Sequence, residues 1–175
     1  MNMNIKIIII AFVFGLFFSS CKEEKKTVVK NDYSVTIEGV FLKNDKLQVF
    51  YLIDGSDWKD ENSVSQPIYA SNEMQKIVLH FPEKIVPVNI RVDLGFNSTQ
   101  SNITIKNISV KHRSKVINGD FEKYTKYFYP NEFVTWDPNY FGYKLSVVNE
   151  KYDPFLMGND ELVIQLVKIS DDYNL

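Results

Sequence analysis

The segment IRVDLGFNSTQSNITIKNISV, Ile90 to Val110, decides how the rest of the chain is read. Ile90, Val92 and Leu94 alternate with Arg91 and Asp93, the period-two pattern of a strand with one apolar face. Gly95 ends that run, and the Asn, Ser and Thr residues after it read as a loop. Apolar residues return as Ile103 and Ile105 in one phase, then as Ile108 and Val110 in the other. One inserted residue in a ladder produces such a phase change, so a β-bulge is expected at Lys106-Asn107.

The same period extends in both directions. Tyr33, Val35 and Ile37 alternate with Ser34, Thr36 and Glu38, and Leu47, Val49, Tyr51 and Ile53 follow a turn at Lys43-Asn44-Asp45-Lys46. Ile77, Leu79 and Phe81 alternate with Val78 and His80 until Pro82 stops the ladder. A last strand is expected from Leu162 to Ile169, entered through Gly158-Asn159-Asp160. Only the stretch from Asp120 to Phe128 departs from the pattern. Phe121, Tyr124 and Phe128 have helical spacing, Asp120 suits a cap and Pro130 blocks continuation, so a short helix is expected. Short strands separated by Asn, Asp, Gly and Pro turns predict an all-β fold. The expected form is an antiparallel β-sandwich of jelly-roll type over residues 33–175, with at most one short helix.

The amino-terminal segment has a different character. Lys6 precedes an apolar run from Ile7 to Phe18, followed directly by Ser19-Ser20-Cys21. Twelve residues make a helix of about 18 Å, too short for a hydrocarbon core of about 30 Å. The pattern is that of a secretory signal. Its FSSC end resembles the lipobox of bacterial lipoproteins, which implies removal of residues 1–20 and acylation of Cys21. Residues 21–32 then form a lipid anchor and charged tether. Lys22-Glu23-Glu24 resembles the Lys-plus-acid signal that sends some lipoproteins to the outer face of the outer membrane. The implied location is the outer membrane, through a lipid anchor.

Loss of the signal leaves 19 basic against 22 acidic side chains, with no basic block for nucleic acid. Cys21 is the only cysteine, so no disulfide, cysteine nucleophile or cysteine zinc site can form within the domain. The glycines are isolated, no Gly-x-Ser-x-Gly elbow occurs, and His80 and His112 lack metalloprotease spacing. Asp54, Asp57, Asp60 and Glu61 crowd one loop, but their spacing departs from the alternating ligands of an EF-hand. No catalytic residue, cofactor or metal site is expected.

Aromatic residues carry the remaining signal, ten of them between Phe121 and Tyr143. Flat rings beside Asp and Asn suit sugar binding, because rings stack on sugar faces while polar groups bond the hydroxyls. Most of these ten are expected in the core, with Trp136 and Tyr140 of the Trp-Asp-Pro-Asn-Tyr turn as exceptions. Trp58, flanked by charged residues, is expected in a solvated loop. The candidate ligand-binding residues are therefore Trp58, Trp136, Tyr140 and Asp137. The Ile90 to Val110 segment resembles the Arg-x-Asp, loop, Ile-x-Ile segment of jelly-roll domains in bacterial glycan-handling proteins. Asn118-Gly119-Asp120-Phe121-Glu122 is similar to the opening strand of many carbohydrate-binding modules, although only 53 residues follow it. Together these resemblances imply non-catalytic glycan binding. Three alternatives stay open: a structural lipoprotein with an envelope protein partner, a small lipid carrier and, ranked last, a glycoside hydrolase using a carboxylate pair from Asp54, Asp57, Asp60 and Glu61 or from Asp137, Asp153, Asp160 and Glu161. The Gly-x-Trp expected of a lipocalin-type carrier is absent, Gly39 being followed by Val40-Phe41.

Overall fold

The computed structural model describes residues 33–170. Its strands are β1 (Tyr33–Phe41), β2 (Asp45–Leu52), β3 (Ser63–Ile68), β4 (Gln75–His80), β5 (Asn89–Asp93) and β6 (Asn102–His112). They continue as β7 (Lys115–Ile117), β8 (Phe128–Pro130), β9 (Val134–Asp137), β10 (Gly142–Leu145) and β11 (Phe155–Gly158), before helix α1 (Asp160–Ile169). One sheet has the order β4-β1-β6-β10-β9, with β7 also on β6, and the other has the order β3-β2-β5-β11-β8. Every pairing is antiparallel. The chain crosses between sheets at seven of its ten strand-to-strand steps and wraps them into the expected sandwich. Alternate residues of both sheets meet inside: Val35, Ile37, Val49, Ile90, Val92, Ile103 and Val110 are fully buried.

The expected bulge is present. Glu38 lies opposite Asn107 and Gly39 opposite Ile105, so Lys106 is the extra residue. Without it, a period-two strand would turn either Ile103 and Ile105 or Ile108 and Val110 to the outside. With it, all four are buried.

Two expected elements are corrected. Leu162 to Ile169 is not a strand but most of α1. Asn159 caps it, its side chain accepting from the Leu162 N–H at 3.1 Å. Leu162, Leu166 and Ile169 form the buried stripe of a helix, and Asp160 and Glu161 in the first turn complement its positive end. The last strand is instead β11. The expected helix near Asp120 is a single 3-10 turn, Lys123–Lys126. Phe121 and Glu122 have φ of 53° and 63°, a left-handed pair that cannot begin an α-helix. Only Tyr124 of that turn is buried.

The β5–β6 loop is pinned by Asp45, whose carboxylate accepts from the N–H groups of Phe96 (2.8 Å) and Asn97 (3.0 Å). Gly95 has φ of 134°, and a Cβ there would collide with that carboxylate. Gly95→Ala should destabilise the domain by about 2 kcal/mol or more, read as a lower urea midpoint at unchanged slope. An unchanged midpoint would contradict this turn.

Candidate functional site

The two outer sheet faces differ in kind. That of the first sheet is polar: Ser34, Thr36, Glu38, Lys76, Asn107, Ser109 and Lys111 share it by register. Glu38 pairs there with Lys76 (3.8 Å) and Lys106 (3.7 Å). On the second sheet, Phe50, Arg91, Met157 and Tyr129 stand in one cross-strand row. Rings and an arginine occupy positions that a solvated strand fills with small polar residues.

Arg91 organises this face. Its Nε and Nη2 donate to Asp93 at 2.7 and 2.8 Å, and its guanidinium lies 4.3 Å from the Phe50 ring and 4.7 Å from the Phe155 ring. The plane is thus held on its edge by a carboxylate and against two rings. The sequence allows an exposed Arg91–Asp93 pair, but only 19% and 6% of these side chains are exposed. Burial pushes the Asp93 carboxyl above its ordinary range, Arg91 offsets part of the rise, and the charges of Asp153 and Asp60 add to it.

Beside this pair lies a depression of about 460 Å³. Its floor is Leu52, Asn89 and Met157, and its walls are Trp58, Tyr129 and Asp160. Trp58 comes from the β2–β3 loop, which is tied down where Ser63 donates to the Asp60 carbonyl (2.6 Å) and accepts from Gln48 (2.8 Å). Asn89 donates to the Gly158 carbonyl at 3.0 Å, which fixes the floor to the start of α1. Among the described residues, the Trp58 indole N–H, the Tyr129 hydroxyl and the Asp160 carboxylate have no hydrogen-bond partner.

A second depression of about 380 Å³ lies on the other side of Tyr129, lined by Glu122, Thr125, Pro130, Trp136 and Tyr143. Tyr143 forms its base. The ring of Trp136 meets it edge-on at 5.4 Å, and its hydroxyl is 3.2 Å from that of Tyr124. Burial raises both phenols above their ordinary range, so neither serves as a base at neutral pH.

The four sequence candidates are not one site. Trp58 is half-buried and lines the first depression; Trp136 lies in β9 rather than in the turn, is 42% exposed and lines the second. Asp137 shapes the β9–β10 turn by accepting from the Asn139 N–H at 2.9 Å, and half-buried Tyr140 lines neither depression. The expectation that most rings between Phe121 and Tyr143 are core is also corrected, since only Tyr124, Phe128, Phe133 and Tyr143 are buried. Edge strands and turns supply this segment, so fewer of its residues face inward. Tyr129, 51% exposed between the depressions, was missed. Its signal was Phe128-Tyr129-Pro130, where alternation puts Tyr129 opposite to buried Phe128.

Among the described residues, no group of three or more His, Cys, Asp or Glu can hold a metal ion. No family model, curated protein or solved structure matches the chain.

Arg91→Leu would leave the Asp93 carboxylate buried without its partner and should cost about 3 kcal/mol at neutral pH. A raised carboxyl pKa favours folding below the unfolded-state value, and that contribution is lost as pH rises through the folded value. Without Arg91 the carboxyl rises further, so the deficit against wild type should shrink when denaturation is measured near pH 4. A deficit independent of pH would show that lost packing, not the charge, is responsible.

Proposed function

We propose that this protein is a non-catalytic glycan-binding lipoprotein of the cell envelope, with its ligand on the outer face of the β3-β2-β5-β11-β8 sheet. The observation that carries this reading is the first depression. Two rings, Trp58 and Tyr129, stand with Asp160 around a floor that contains Asn89. The indole N–H, the phenol and the carboxylate are unspent, which provides donors and an acceptor for hydroxyls beside faces on which sugar rings stack. Its size falls within the range of small-ligand sites. A protein partner would be better served by a flat apolar patch, and a lipid by a closed barrel with an empty interior. The sheets here have separate edges, and their inner faces pack on one another.

Trp58→Ala and Tyr129→Ala should each weaken binding to immobilised glycans roughly tenfold, as expected from losing about 1–1.5 kcal/mol of ring contact. The melting temperature should stay nearly constant, and Trp58→Phe should restore part of the affinity. Unchanged binding in both alanine variants, or a wild type that binds no glycan, would overturn the reading.

The lipid anchor belongs to the same proposal and rests on FSSC and the short apolar run. Cys21 lies outside the described residues, and among those described no helix is long and apolar enough to cross a membrane. Two or three acyl chains at roughly 0.8 kcal/mol per buried CH₂ hold a protein durably. Labelled palmitate should enter the wild type and not Cys21→Ser. Equal labelling of both would remove the anchor from the account.

A further inference from the structure

We infer that the ligand is an extended, uncharged oligosaccharide that passes over Tyr129 and fills both depressions; this rests on the glycan reading above. Tyr129 is the one side chain shared by the two cavities, and it stands on edge strand β8. The lining of the first depression already runs from Leu52 on β2 through Asn89 on β5 and Met157 on β11 to Tyr129 on β8. Three inter-strand steps of about 4.8 Å make roughly 14 Å across the strands, more than a single sugar ring spans. Beyond Tyr129 the path continues to Trp136, a second half-exposed ring, with Glu122 and Thr125 beside it. A run of rings separated by polar groups suits a chain whose successive units stack and hydrogen-bond in turn.

Charge narrows the class. Asp160 lines the first depression and Glu122 the second, and among the described residues no lysine or arginine lines either. The loop that carries Trp58 adds Asp57, Asp60 and Glu61, of which, among the described residues, only Glu61 meets a lysine, Lys59 at 3.9 Å. A uronate or sulfated chain would bring its charges against these carboxylates. Hydroxyls that donate to carboxylates fit both places.

The test uses uncharged oligosaccharides of two to six units, matched against uronate chains of the same lengths, with affinity measured by calorimetry. Wild-type affinity should rise with length up to about four units and be at least tenfold weaker for uronates. Trp136→Ala should flatten the rise, losing about tenfold on the longest chain while binding disaccharide within twofold of wild type. Because Trp136 packs on Tyr143, Thr125→Arg is the second variant: it obstructs the same depression from the exposed 3-10 turn and should flatten the rise equally. Length dependence unchanged in both variants, with binding still lost in Trp58→Ala, overturns the extended ligand and leaves the glycan reading standing. Equal affinity for uronates overturns the charge assignment. Absence of binding to every chain at every length overturns the glycan reading itself.

Discussion

One extra residue in the central strand governs the sandwich. β6 pairs with β1, β7 and β10, and Lys106 sits in it without a partner on β1. Because strand side chains alternate, that single insertion keeps Ile103 and Ile105 on the same side as Ile108 and Val110. The first sheet therefore presents one continuous apolar face along the whole length of its longest strand. The core beneath the second sheet depends on that face, and so does the freedom of the second sheet to use its other face for something besides packing.

How that freedom is used distinguishes the two sheets. The outer face of the first is a polar surface whose ion pairs join a largely covered Glu38 to the exposed lysines Lys76 and Lys106, and such partly solvated pairs contribute little to stability. The outer face of the second holds a guanidinium between Phe50 and Phe155, forked onto Asp93. Burying this pair is not a route to stability, since desolvation raises the Asp93 carboxyl despite its arginine. What the pair supplies is order: it fixes the middle of the face across from Met157, next to the depression walled by Trp58 and Tyr129. A rigid floor reduces the entropy lost when a flexible sugar chain settles on it.

Strands with strict alternation were legible in the sequence, and so was the bulge, because Ile103, Ile105, Ile108 and Val110 mark a phase shift with no other local explanation. The last element was not. Leu162, Ile164 and Leu166 satisfy period two, while Leu162, Leu166 and Ile169 satisfy the helical period, and the apolar residues alone do not choose. Asn159 as cap, Asp160 and Glu161 in the first turn and Lys168 in the last were the deciding signs. β11, only four residues long and without polar alternation, gave no signal. Trp58 and Trp136 could be singled out as rings in polar company. That each lines a separate depression, and that Tyr129 borders both, follows from strand pairing between distant segments, to which local pattern is blind.

The most direct test of a sugar site between Trp58 and Tyr129 is the pair of indole N–H signals in a proton–nitrogen correlation spectrum. The chain has two tryptophans, so Trp58→Phe assigns both signals at once. Titration with an uncharged oligosaccharide should move the Trp58 signal progressively and saturably as its unspent N–H gains a hydroxyl partner. Saturable binding of the same sugar that leaves the Trp58 signal in place would contradict the account.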